Sequence, residues 1–65
     1  MWLISAQFIT MYKRYGILEE FECITAEDVI ELAELILKGR AEKELGAVDG
    51  KFTVNFVYKT EEVNY

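Results

Sequence analysis

Residues 25–39, Thr25-Ala26-Glu27-Asp28-Val29-Ile30-Glu31-Leu32-Ala33-Glu34-Leu35-Ile36-Leu37-Lys38-Gly39, decide the fold. Ala26, Val29, Ile30, Ala33, Ile36 and Leu37 recur at the spacing of one helix face, opposite Glu27, Glu31, Glu34 and Lys38. Thr25 suits the N-cap, and Thr25-Ala26-Glu27-Asp28 is a capping box with Asp where Glu or Gln is usual. Glu27 and Asp28 also place negative charge at the positive end of the helix dipole. Gly39 fits the glycine that ends many helices. Extending the same phase would carry Arg40, Lys43 and Glu44 into the core, so the sequence predicts that the regular helix stops near Gly39. Residues 40–50 are polar and hold Gly46 and Asp49-Gly50. They read as a loop with room for one extra helical turn.

Both flanks of the helix alternate with period two instead. In residues 2–13 the even positions are Trp2, Ile4, Ala6, Phe8, Thr10 and Tyr12, a core-facing set for a long strand. Lys13-Arg14-Tyr15-Gly16 then reads as the hairpin loop, with Gly16 suited to a positive φ. Residues 17–24 form the return strand, with Ile17, Phe21 and Cys23 on one face and Glu20 and Glu22 on the other. In residues 51–60 Phe52, Val54, Phe56 and Tyr58 take the inward phase, while Lys51, Thr53, Asn55, Val57 and Lys59 face water. The tail 61–65 shifts its apolar parity to odd positions, as a bulge, frayed end or further pairing would. The expected architecture is α+β: β-β-α-β, a three-stranded antiparallel sheet with one helix on one face, in a single domain over residues 1–65. The expected core is Trp2, Ile4, Phe8, Phe21, Val29, Ala33, Ile36, Phe52, Val54 and Phe56.

Composition narrows what such a domain can do. A chain of 65 residues buries only roughly 60% of its unfolded surface. With one cysteine it has no disulfide to add to that core. The N-terminus lacks a basic region, a continuous apolar stretch and a cleavage site, so it does not read as a signal peptide. With the unpaired thiol, this predicts a reducing, cytoplasmic setting and no membrane span.

A hairpin running through Glu20-Phe21-Glu22-Cys23-Ile24 into Thr25-Ala26-Glu27-Asp28, then a helix and a last strand, resembles many short accessory proteins encoded by bacteriophages. The resemblance spans most of the chain and lies at the level of the fold. It implies binding to, and inhibition of, a host protein, and assigns no functional residue.

Catalytic chemistry finds little to work with. There is no histidine to act as base or metal ligand. Cys23 has no activating partner, follows Glu22 and takes the inward phase, so it reads as a small core residue. No Cys-x-x-Cys, calcium loop or glycine-rich phosphate loop occurs, so no metal or cofactor is expected. The sequence does not read as an enzyme.

Charge and apolar surplus are more informative. Twelve acids against seven bases give −5, which disfavours nucleic acid. Between positions 17 and 37 lie Glu19, Glu20, Glu22, Glu27, Asp28, Glu31 and Glu34, with no base among them. Such a run is a candidate docking surface for a basic protein partner, and equally the ordinary means of keeping a small domain soluble. Leu3, Ile9 and Met11 on the outer side of the first strand, Val57 on the last, and Leu32 and Leu35 off the helix's inward face exceed what one small sheet covers. The candidate partner-binding set is therefore Glu19, Glu20, Glu22, Glu27, Glu31, Glu34, Leu35, Ile9 and Met11, with a second copy of the chain as one occupant, in a homodimer. The alternative is a small nucleic-acid regulator that grips phosphate with Lys13, Arg14 and Tyr15 at the hairpin tip and Lys51 and Lys59 on the sheet.

Overall fold

The alternating and helical runs resolve into four elements: β1 (Trp2–Thr10), β2 (Arg14–Phe21), α1 (Ala26–Leu45) and β3 (Gly50–Lys59). The computed structural model describes residues 1–23 and 25–60. Ile24, the last residue of the expected return strand, and the tail 61–65 with its parity shift lie outside the described residues. The sheet is antiparallel in the order β2-β1-β3, and α1 packs on one face against all three strands. The α+β, β-β-α-β architecture is as the sequence predicts.

The hairpin turns earlier than expected. Ile9 pairs with Arg14, so residues 10–13 make the turn and Gly16 sits inside β2 opposite Gln7. Among the described residues the one glycine with positive φ is Gly46. The Thr10 hydroxyl takes the place of a turn glycine. It accepts the N–H groups of Tyr12 (3.1 Å) and Lys13 (2.9 Å) and donates to the Lys13 carbonyl (2.8 Å). At the other end of the hairpin, the Trp2 indole N–H donates to the Cys23 carbonyl at 3.1 Å. Cys23 itself is half-buried against the core.

The helix starts where the sequence places it and runs past Gly39 to Leu45. Thr25 is extended (φ −127°, ψ 159°), and its hydroxyl accepts the Asp28 N–H at 3.2 Å. Val29, Ala33, Leu37 and Ala41, four residues apart, form a fully buried stripe. Its alanines let the backbone approach the sheet. Gly39 does not end the helix; Gly46 does, at φ 79°, with its N–H donating to Glu42 O at 2.8 Å. The expected loop over 40–50 shrinks to residues 46–49. Length accounts for the difference. Twenty helical residues span about 30 Å, and the nine residues of β1 span about the same. The helix therefore lies along the whole hairpin. Arg40 and Glu44 do turn toward the sheet, but over its open end, where they stay exposed and bonded. Arg40 donates to Gly16 O at 3.3 Å, and Glu44 meets Lys13 and Tyr15.

The last strand changes sides midway. Val54 pairs with Ala6 and Phe56 with Ser5, which leaves Asn55 unpaired as a β-bulge. Asn55 Nδ2 donates to Ser5 Oγ at 3.1 Å across the outer face. Beyond the bulge Val57 pairs with Ile4 and packs on the core, while Phe56 and Tyr58 turn outward. Phe56 is thus 42% exposed and leaves the expected core, Tyr58 follows it, and Val57 goes in. Of the rest of that expected core, Ile4, Phe8, Val29 and Ala33 are buried, while Trp2, Phe21, Ile36, Phe52 and Val54 are half-buried against them. Tyr15, Ile17, Ala6, Leu37 and Ala41 complete the buried apolar set among the described residues.

Candidate functional site

Each face of the sheet follows from its register. The outer face, away from α1, is a grid read along β1. Beside Leu3 stand Glu20 and Tyr58; beside Ser5, Leu18 and Phe56; beside Gln7, Gly16 and Thr53; beside Ile9, Arg14 and Lys51. Leu18 is 67% exposed, and the Phe56 and Tyr58 rings stack with centroids 5.6 Å apart. This apolar surface owes its aromatic half to the bulge. Without it, Phe56 and Tyr58 would point at α1.

The candidate partner-binding residues divide between this face and the opposite side. Ile9 lies on the outer face, and Met11 projects from the hairpin turn at 86% exposure. Leu35 stands on the solvent side of α1 at 72% exposure, with the exposed Glu27, Asp28 and Glu31 on the same element. Glu34 is half-buried and pairs with Lys38 at 3.4 Å. Glu19 and Glu20 are exposed on the edge strand β2, on opposite faces of it, and Glu22 is exposed just beyond its end. Glu34 is the one member of the acidic run in an ion pair among the described residues.

The cationic set does not assemble. Lys13 Nζ lies 2.7 Å from Glu44 Oε1, and the Tyr15 hydroxyl donates to Glu44 Oε2 at 3.0 Å. Lys13 also stands 5.3 Å from the Tyr15 ring centroid. The hydrogen bonds from Lys13 and then Tyr15 hold the Glu44 carboxyl below its usual range, and Glu44 in turn raises Lys13. Burial of the Tyr15 ring, then its bond to Glu44, raises the phenol. Tyr15 is a buried residue here, so it offers no ring for a base to stack on. Lys51 pairs with Ile9 on the outer face, whereas Lys59 pairs with Trp2 on the helix side, because the bulge lies between them. Only Arg14 and Lys51 share a row.

Concave surface is scarce. A cleft of about 190 Å³ lies between α1 and the start of β3, lined by Phe8, Lys38, Glu42, Val48, Asp49 and Gly50. That is smaller than the roughly 300 Å³ at which ligand pockets begin. An open depression of about 540 Å³ lies over Lys13, Tyr15, Arg40, Lys43 and Glu44. Among the described residues no group of three acids or cysteines is placed to hold a metal ion, and no helix is long and apolar enough to cross a membrane.

Comparison with protein-family models, with curated proteins and with solved structures finds no match to this chain.

Proposed function

We propose that this chain is a non-enzymatic interaction protein of a reducing, cytoplasmic compartment. It docks a basic surface of another protein against the acids of β2 and α1, and thereby inhibits or modulates that partner. The observation that carries this reading is how the charges are segregated. Glu19, Glu20, Glu22, Glu27, Asp28 and Glu31 have no cationic partner among the described residues, and every base of the chain lies outside residues 17–37. Unrelieved carboxylates repel one another, so a basic partner gains by relieving them, and their field speeds its approach. The resemblance to phage accessory proteins points the same way, toward a host protein as the target.

The test is capture from a cell lysate with the wild-type chain and with Glu19→Lys/Glu31→Lys, a pair exposed on two different elements. The double variant should keep its fold and lose the partner. The loss should reside in the association rate and shrink as salt rises, since exposed charges are screened over about 8–10 Å. Undiminished capture would leave these acids as solubility residues. Salt-sensitive retention of the wild type on a heparin or DNA column, with no protein captured, would favour the nucleic-acid alternative.

A further inference from the structure

The outer face of the sheet carries an arrangement of which the acidic docking reading uses only Glu20. Gly16 stands in the middle of β2 with no internal reason to be glycine. Its φ is not positive, and an added Cβ would meet only the Ala6 carbonyl oxygen at 3.9 Å, an ordinary contact. Glycine inside a strand costs stability and leaves a gap in the side-chain layer. Two residues along, Leu18 stands up from the same face, two-thirds exposed. Arg14 and Glu20 lie at opposite ends of β2 on that face, and neither joins an ion pair among the described residues.

We infer that this face binds a second copy of the chain, stacked face to face about a two-fold axis that lies in the interface and crosses the strands. Such an axis places β2 over β2 and reverses its direction, so residues beside Leu3 oppose those beside Ile9, and residues beside Ser5 oppose those beside Gln7. Every row then meets a complement. Glu20 opposes Arg14 of the second copy, twice by symmetry. Leu18 enters the gap at Gly16. Phe56 lies on Thr53, Tyr58 meets Lys51, Leu3 meets Ile9, and Ser5 meets Gln7. The other in-plane two-fold, parallel to the strands, would set Arg14 against Lys51 and Leu18 against Phe56, so like charge and bulk both exclude it. Sheets stacked about 10 Å apart suit this layer, and stacked antiparallel strands tolerate the usual angle of about 30°. Three strands of some nine residues give a face roughly 30 Å by 15 Å. The dimer therefore falls toward the small end of stable interfaces and is expected to be concentration-dependent. Of the docking acids Glu20 lies within it, while Glu19 and Glu31, the pair reversed in the docking test, stay outside, so the two tests can each fail without the other.

The test is sedimentation velocity on the full chain across a concentration series, with thermal melts as a check on folding. The wild type should pass from one chain mass to two. Gly16→Val fills the gap and should leave a monomer that melts no lower than the wild-type monomer. Arg14→Glu and Glu20→Arg, taken singly, place like charges opposite one another and should each weaken association at least tenfold. Arg14→Glu/Glu20→Arg together should restore it. A wild type that stays monomeric at high micromolar concentration would overturn the proposal. So would a dimer indifferent to Gly16→Val and to both single reversals, as edge-to-edge pairing of β3 would give, or a double reversal that fails to restore association.

Discussion

One residue, Asn55, sets which aromatic side chains this protein shows to solvent. Strict alternation through residues 51–60 puts Phe56 and Tyr58 in the core, and nothing local marks the bulge, since Asn55 takes an outward position in either register. What marks it is the partner strand. Ala6 and Ser5 must face Val54 and Phe56 for Val57 to reach Ile4, and such pairing across half the chain is not written in the strand's own pattern. Truncations distinguish the two registers. Phe56→Ala, measured at monomer concentrations, should cost only about 1 kcal/mol, the scale of a stacking contact with Tyr58. Leu37→Ala, at a site fully buried under α1, should cost roughly 2–5 kcal/mol in chemical unfolding. Equal losses would restore the unbulged register. Gly50 shows a glycine that the packing does require. A Cβ there would stand 2.8 Å from the Ile9 carbonyl oxygen and closer still to the Phe8 ring. Gly50→Ala should therefore destabilise, because a backbone atom cannot swing aside as a side chain can.

Among the elements, α1 is legible in the sequence at its start and not at its end. Its N-cap, its acidic first turn and the stripe through Val29, Ala33 and Leu37 are all local signals, and each has its counterpart in the fold. Its end depends on how much hairpin lies beneath it, which no helix sequence records. Glycine at position 39 carries the local signature of a helix stop, yet it lies on the solvent side of a continuing helix with nothing within 4 Å of an added Cβ. Gly39→Ala should therefore raise stability by about 0.5–1 kcal/mol, read as a Tm several degrees higher. A lower Tm would mean that the helix is broken there after all. The candidate site divides in the same way. The acidic run is visible in the sequence because charge needs no partner to be counted. The outer-face grid was hidden because it needs both the β1–β2 register and the bulge, and the expected loop at 13–16 had removed Arg14 and Gly16 from the sheet altogether.

At the scale of the whole molecule, the far end of α1 is held to the hairpin turn by Glu44. Its carboxylate takes Lys13 on one oxygen and the Tyr15 hydroxyl on the other, joining residues about thirty positions apart. That separation is why the sequence shows Lys13 and Tyr15 as a basic–aromatic pair and not as partners of Glu44. The pH dependence follows from the direction of each shift. Glu44 is held below the usual carboxylate value, so its contribution is present above that value and is lost as pH falls through the depressed one. Lys13 and Tyr15 are both raised, so theirs are present below the ordinary lysine and tyrosine values and are lost as pH climbs through the raised ones. The tie should hold across neutral pH and release at both extremes. Glu44→Gln keeps the size and an acceptor oxygen but loses the charge. Near neutrality it should melt below the wild type. The gap should close as acid protonates Glu44, and it should narrow with added salt, because the Lys13–Glu44 pair is about half exposed on each side. A gap that persists unchanged in acid would mean that Glu44 acts through packing alone. The helix end would then rest on Ala41 and the Arg40 bond to Gly16 rather than on charge.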